Sequence, residues 1–142
     1  GVNRSYVLAD SRDDDDVIAG MRKRHIVPSS GPYIHATIEN EWAPGNTFTG
    51  VRQLNVELYH PSWMLVDSIH LYENGIIIDT QEATTDPVIF DLAPEEDAHY
   101  SVVAEGAYPM VPIYSSSPWS ITAALYIDIE GDGWTPPLPE LQ

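Results

Sequence analysis

The sequence predicts a mainly β fold: an antiparallel β-sandwich, immunoglobulin-like in style, of about seven strands with one short N-terminal α-helix. Three observations predict it. From residue 26 onward, short runs rich in β-branched and aromatic residues are separated by Pro, Gly, Asn and Asp. Only one segment, near the start of the chain, has a clear helical pattern. The 142 residues, 43% of them apolar, are enough to bury a core as one globular unit.

The N-terminal segment is expected to form a strand and then a helix. Residues 4–9 have the composition of a short strand. Asp13 to Asp16 place negative charge at the positive end of the helix that follows, and the Arg-Lys-Arg run at 22–24 suits its negative end. We favour helix capping over a metal site for the four aspartates, because consecutive residues on a helix point in different directions. The apolar stripe of this helix consists of Val17, Ile18 and Met21.

Seven strands are expected along the rest of the chain. The Asn74-Gly75 pair predicts a tight hairpin between the third and the fourth, because these residues accept the positive φ of such turns. The Pro-rich segment at 136–139 is expected to be extended. The candidate strands are 33–39, 52–59, 66–73, 76–80, 87–92, 99–105 and 120–128.

The charge of the chain is concentrated in one part of it. The formal net charge is −16, from 22 acidic and 6 basic residues. Residues 1–24 contain five of each sign, whereas residues 25–142 contain 17 acidic residues and one basic residue, Arg52. This asymmetry indicates two pieces, 1–27 and 28–142. A polyanion does not bind nucleic acid or an anionic membrane unaided, and no apolar run approaches the ~20 residues of a membrane span, so we expect neither partner.

The chain has no cysteine. This excludes a disulfide framework, a thiolate nucleophile and Cys-ligated zinc or iron–sulfur clusters. It does not determine the cellular compartment. We expect an extracytoplasmic location, although no targeting motif indicates it. The sequence also has no initiator Met and no signal-peptide pattern, so we expect it to begin within a longer protein.

One local motif has metal chemistry, and it lies in the acidic loop near the C-terminus. Asp128, Glu130 and Asp132 offer oxygen ligands at alternate positions, and Gly133 follows at the sixth, as at the start of a calcium-binding loop. At the twelfth position, where such loops have a bidentate acid, the chain has Pro139. The first three residues are therefore the candidate Ca²⁺ ligands, and Ca²⁺ is the one cofactor that the chain itself suggests. The alternative is a plain acidic β-turn, which is the commoner use of exposed Asp and Gly.

The histidines and the tryptophans give no compact motif. The five histidines lack the His-x-His or i,i+4 spacing of a metal pair, which favours structural roles over a composite carboxylate–histidine site. The four tryptophans fall at strand ends or in loops, where packing of the sandwich ends or of a neighbouring domain is the expected role. Stacking on a carbohydrate is the alternative. These residues are His25, His35, His60, His70, His99, Trp42, Trp63, Trp119 and Trp134.

A series of motifs in a fixed order runs through nearly the whole chain. It consists of Arg4-Ser5-Tyr6-Val7, the helix at 17–22, His25-Ile26-Val27, Ser30-Gly31-Pro32, Pro44-Gly45-Asn46-Thr47, Pro61-Ser62-Trp63, Val66-Asp67, Tyr72-Glu73-Asn74-Gly75 and the segment 128–137. In this order and spacing the chain resembles the C-terminal part of PHP-type (polymerase and histidinol phosphatase) metallohydrolases of the CehA/McbA branch. One position departs from the family: Ala123-Ala124 stand where it tends to have Asn-Pro.

The resemblance implies that residues 1–27 are the last strand and helix of a metal-binding barrel and that residues 28–142 are an accessory β-sandwich. In this family the His- and Asp-rich ligand motifs precede the Arg-x-Tyr-Val segment. Divalent metals would then be held by a missing catalytic domain, and no catalytic residue is assigned on this chain.

The expected function is that of a non-catalytic accessory module of a PHP-like metal-dependent hydrolase or phosphoesterase, with a structural or packing role. The chain alone is not expected to be an enzyme. Its expected partner is the preceding catalytic domain or a second copy of itself. One alternative is a Ca²⁺-dependent or carbohydrate-binding β-sandwich, and another is a stand-alone hydrolase with a composite carboxylate–histidine site.

Overall fold

The computed structural model describes residues 3–137. Within them the chain forms one helix and twelve strands. Helix α1 spans Asp14–Arg22. The strands are β1 (Arg4–Val7), β2 (Ile26–Ser29), β3 (Tyr33–Ile38), β4 (Glu41–Trp42), β5 (Thr47–Thr49), β6 (Arg52–Tyr59), β7 (Ser68–Glu73), β8 (Ile76–Glu82), β9 (Val88–Leu92), β10 (Ala98–Glu105), β11 (Trp119–Ile121) and β12 (Leu125–Asp128).

The strands form two sheets, which confirms the predicted mainly β sandwich. One sheet has the order β4-β3-β6-β9, and every pairing in it is antiparallel. In the other sheet the order β8-β7-β10-β12 is antiparallel, and β5 adds to β12 as a parallel strand. The chain crosses from one sheet to the other after β2, β4, β5, β6, β8 and β9, and repeated crossings are typical of immunoglobulin-like sandwiches.

Alternating side chains explain how the two sheets share one core. Along β10, Ala98, Tyr100, Val102 and Ala104 are buried and their neighbours are more exposed, so one face of the strand is apolar. Strands β6 and β9 repeat this pattern on the facing sheet. A fully buried Leu, Ile or Phe contributes roughly 1.5–3 kcal/mol, so this layer supplies most of the stability. The largest fully buried side chains are Tyr100, Phe90, Ile34, Ile38, Leu54, Ile69, Leu71, Leu92, Leu125 and Ile127.

The number of strands is larger than predicted, because the sequence pattern missed the shortest ones. Strands β2, β4 and β5 have two to four residues each, too few for an alternation to be recognised. The strand expected at 120–128 is split into β11 and β12, which pair with opposite ends of the same edge of β10. The Asn74-Gly75 hairpin is confirmed, with φ of 51° and 85° at its two residues.

The N-terminal segment is joined to the sandwich through β2. This strand pairs with β1 on one side and, at Ser29, with β11 on the other. Helix α1 begins after Asp13 as expected, although the Asp13 side chain makes no capping hydrogen bond. Residues 26–29 therefore span the predicted domain boundary near residue 27, and the division into two domains stays a prediction.

Helix α1 contacts β1 through its smallest residue. A Cβ at Gly20 would lie 2.3 Å from the Leu8 carbonyl oxygen, so glycine is what permits this close approach. Within the described part of the chain, no helix has the length and apolarity needed to cross a membrane.

Candidate functional site

The predicted calcium loop is organised by the carboxylate of Asp128. This side chain is buried, and its two oxygens accept hydrogen bonds from the backbone N–H groups of Gly131 (2.7 Å) and Gly133 (2.9 Å). Glu130 and Asp132 are exposed and line a shallow pocket of about 410 Å³. The three predicted ligands occupy alternate positions of the loop, but among them only Asp128 accepts hydrogen bonds from the loop backbone.

A second carboxylate holds the same loop from the neighbouring segment. Asp97 accepts hydrogen bonds from the backbone N–H groups of Ile129 (3.0 Å) and Thr135 (2.6 Å). Glu95 and Glu96 lie beside it in the shallow pocket. We refer to the surface formed by Glu95, Glu96, Asp97, Glu130 and Asp132 as the acidic end of the sandwich.

The acidic end does not assemble a metal centre from the described residues. Among residues 3–137, no three His, Asp or Glu side chains converge closely enough to hold a metal ion. The oxygens of Asp128 are already used to fasten the loop, which gives this residue a structural role. Calcium binding stays a prediction. Pro139 and Glu140, the positions that would close such a loop, lie outside the described residues.

The five histidines do not gather into one cluster. His70 lies 3.3 Å from a Glu105 carboxylate oxygen and contacts the hydroxyls of Ser68 (3.0 Å) and Thr80 (2.8 Å), a cross-strand cluster on the outer face of its sheet. His25 and His35 flank the ring of Trp42, at 6.5 and 5.7 Å between ring centroids. No composite carboxylate–histidine metal site is formed within residues 3–137.

A large open groove lies at the end of the sandwich opposite the acidic end. Its volume is about 990 Å³. Strand β10 starts directly after Asp97 at the acidic end and finishes at Glu105, where β7 and the loops of the groove begin. We call this cavity the aromatic groove; its principal lining side chains are Tyr6, Tyr33, Tyr59, Trp63, Met64 and Met110.

Three tyrosines from three different strands form one wall of the aromatic groove. The ring of Tyr33 lies 4.8 Å from that of Tyr6 and 6.1 Å from that of Tyr59, centroid to centroid. Tyr33 and Tyr59 are directly opposite in the β3–β6 ladder, and Tyr6 reaches them from β1. Burial, and then the neighbouring Tyr6, raise the pKa of Tyr33, so its hydroxyl stays protonated well above neutral pH.

The other side of the groove is built by two loops. Met64 and Met110 are buried at its floor, whereas Trp63 is 55% exposed at its rim. A Cβ at Gly31 would lie 2.2 Å from Met64 Cε, so a larger residue here would displace the end of this methionine. The second loop is fixed by the hydrogen bond from the Ala107 N–H to the Asp67 carboxylate, at 2.6 Å.

The tryptophans have different environments, and only one lies in the groove. Trp63 is in the aromatic groove. Trp134 packs edge-on against Tyr126 at 4.7 Å and donates to the Ala98 carbonyl oxygen at 3.2 Å, so it closes the acidic end. Within residues 3–137, the buried indole N–H of Trp42 has no hydrogen-bond partner.

Sequence reasoning missed this groove, although a signal for it was present. The tyrosines are far apart along the chain and meet only because their strands pair. The signal lies in the acidic residues: the segments 58–66 and 106–127 contain none, in a chain that has 22. Both segments contribute to this end of the sandwich.

Comparisons with models of protein families, with curated proteins and with solved structures found no match for this chain.

Proposed function

We propose that this chain is a non-catalytic accessory β-sandwich of a PHP-like metal-dependent hydrolase, and that it packs against the catalytic domain through its N-terminal segment. The ordered motifs of the sequence, which resemble those of PHP-type metallohydrolases, support a catalytic domain of that type as the partner. The observation that carries the packing role is the orientation of α1: Gly20 packs against β1, whereas Ile18 and Met21 are exposed.

The outward face of the N-terminal segment is apolar and is about half exposed in the described chain. Ile18 is 44% exposed and Met21 is 50% exposed, and they lie three residues apart on one face of the helix. Leu8, also 44% exposed, follows β1 directly. An apolar helix face of this kind is stable in water when a partner covers it.

Strand β1 offers a second means of attachment. It is the last strand of its sheet in the described chain, so one of its edges adjoins no other described strand. Another strand can add to such an edge through main-chain hydrogen bonds. The N-terminal segment suits docking better than the acidic sandwich does. Residues 1–24 carry no net charge, so they do not repel a charged partner as residues 25–142 would.

The first experiment tests the absence of catalysis. The purified chain is assayed for phosphodiesterase and phosphomonoesterase activity with added Mn²⁺ or Zn²⁺. The proposal expects no turnover above the rate of the metal alone. Turnover that a chelator abolishes would show a complete metal site in this chain and would contradict the proposal.

The second experiment tests the packing surface. The reading frame upstream of Gly1 is expected to encode His-x-His and further His and Asp ligand motifs, and the domain that it encodes is expressed separately. Binding of the two pieces is measured by calorimetry with Ile18→Asp, Met21→Asp and a control, Val51→Asp. Val51 is 59% exposed and lies away from the N-terminal segment, so this control adds the same charge elsewhere.

The helix variants are expected to weaken the complex by about tenfold or more, because a charge replaces a buried apolar contact. The Val51 control is expected to bind like the unchanged chain. Equal binding by all three variants would place the interface elsewhere.

A further inference from the structure

The aromatic groove differs from the rest of this acidic protein in its charge. Among the described residues that line it, none is Asp or Glu, although 22 of the 142 residues are acidic. Its volume of about 990 Å³ lies at the upper end of the roughly 300–1,000 Å³ range of small-molecule sites. The groove is therefore large enough for several linked rings and is suited to a ligand without positive charge.

The aromatic side chains of the groove expose flat apolar faces. Tyr59 is 54% exposed and Trp63 is 55% exposed, on opposite rims. The rings of Tyr6 and Tyr33 continue the Tyr59 wall inward. The face of an aromatic ring is electron-rich, so it can pack against the C–H groups of a ligand.

Residues with hydroxyl groups also line the groove. Those of Tyr33, Ser62 and Thr85 make no hydrogen bond to another protein group within residues 3–137. Each can donate one hydrogen bond and accept others. The Tyr33 hydroxyl is a donor over the whole neutral range, because the ordinary pKa of tyrosine is 10.0 and burial raises the pKa of Tyr33 further.

We propose that the aromatic groove binds a neutral carbohydrate, an oligosaccharide without carboxylate, sulfate or phosphate groups. A sugar ring has an apolar C–H face for the aromatic rings and hydroxyls around its edge for Tyr33, Ser62 and Thr85.

Two other ligand classes fit less well. A purely apolar ligand would leave the three hydroxyls without partners. An anionic ligand would meet Arg4 and His60 in the groove, but the −16 charge of the chain would repel it at long range. The groove adjoins the proposed packing surface through Tyr6 of β1, but it does not include the outward face of α1.

The test uses the whole chain and four soluble neutral polysaccharides: amylose, β-glucan, xylan and galactomannan. Electrophoresis in gels containing each polymer shows which one retards the protein. Oligosaccharides of that polymer are then titrated while tryptophan fluorescence is followed. Trp63→Ala and Tyr59→Ala remove one exposed ring each from the groove, so both variants are expected to fold, and a melting curve checks this.

The matched controls are Trp119→Ala and Tyr108→Ala, at exposed rings outside the lining of the groove. We expect at least one polymer to retard the protein, about tenfold or greater loss of affinity in the groove variants, and unchanged binding in the controls. The proposal is overturned if none of the four polymers retards the protein or if the groove variants bind as well as the controls.

Discussion

The guanidinium carbon of Arg24 lies 5.1 Å from the centroid of the Tyr126 ring, and Arg24 also donates a hydrogen bond to the Tyr126 hydroxyl. Arg24 follows helix α1, whereas Tyr126 lies in β12, 102 positions later. One of the few cations of the chain thus joins the neutral N-terminal segment to the acidic sandwich.

A double-mutant cycle on this pair measures the connection. Arg24→Ala removes the cation, and Tyr126→Phe keeps the ring but removes the hydroxyl. We expect each single change to lower the free energy of unfolding by about 0.5–1 kcal/mol, because the pair is exposed to solvent. The double variant should lose less than the sum of the two in urea denaturation. Strict additivity would show that the two residues do not interact.

Gly45 tests the contact between the N-terminal segment and the sandwich from the other side. Its φ is +86°, and a Cβ here would lie 2.1 Å from the Lys23 carbonyl oxygen. Gly75 is the matched control, since its φ is +85° and its Cβ would meet no atom within 4 Å.

Gly75→Ala should therefore cost only the backbone strain of about 1–2 kcal/mol. Gly45→Ala should cost at least about 1 kcal/mol more, because the chain after α1 must also move. Thermal melts of the two variants give the comparison. Equal losses would mean that residues 23–24 do not pack on Gly45 in solution.

Two carboxylates of the acidic loop, Asp128 and Asp132, are expected to have different roles: the first holds the loop together, and the second is a predicted Ca²⁺ ligand. Asp128→Ala leaves the N–H groups of Gly131 and Gly133 without their acceptor, so we expect it to lower stability by about 2 kcal/mol with a chelator present. Asp132→Ala changes an exposed side chain and should stay within about 0.5 kcal/mol under the same conditions.

Adding millimolar Ca²⁺ then tests the calcium prediction on the same two variants. A ligand that binds only the folded state must raise the melting temperature. If Ca²⁺ raises that of the unchanged chain and Asp132→Ala removes the increase, the loop binds calcium. No increase in the unchanged chain contradicts that prediction.

Tyr100 gives the fold a defined alkaline limit. Its side chain is fully buried, and its hydroxyl donates to Glu73 at 2.5 Å. Burial, and then this hydrogen bond, raise the pKa of Tyr100 far above its ordinary value of 10.0. A raised folded-state pKa gives stability that is fully present below pH 10 and is lost as the pH rises above it.

We therefore expect the free energy of unfolding to fall above pH 10, with Tyr100 contributing a slope of at most about 1.4 kcal/mol per pH unit. Tyr100→Phe should be less stable at neutral pH by about 1 kcal/mol and should show a shallower alkaline decline. The control, Tyr108→Phe, changes an exposed ring and should keep the full decline. Identical slopes in all three proteins would contradict this role of Tyr100.

The sequence predicted the longer elements of this fold because their patterns are local. Strand β6 was predicted with its observed bounds from the alternation of Leu54 and Val56, and the hairpin after β7 from Asn74-Gly75. Strand β5 was missed because its three residues are ordered by parallel pairing with β12, far along the chain, which no local pattern encodes.

The candidate sites show the same difference between local sequence patterns and long-range strand pairing. The acidic loop is contiguous, so its residues were found, although the hydrogen bonds that occupy Asp128 could not be read from the spacing. The aromatic groove joins Tyr6, Tyr33 and the pair Tyr59 and Trp63 from three separate segments. Only the sheet pairing brings these segments together, and the lack of acidic residues at 58–66 is their sequence signal.

We propose above all that the outward face of α1 docks this module on a metal-dependent catalytic domain. The most direct measurement is the affinity of this chain for the domain encoded upstream in its own reading frame, with and without Met21→Asp. We predict a one-to-one complex that the substitution weakens by about tenfold or more. A reading frame without His and Asp ligand motifs, or a complex that Met21→Asp does not weaken, would contradict the claim.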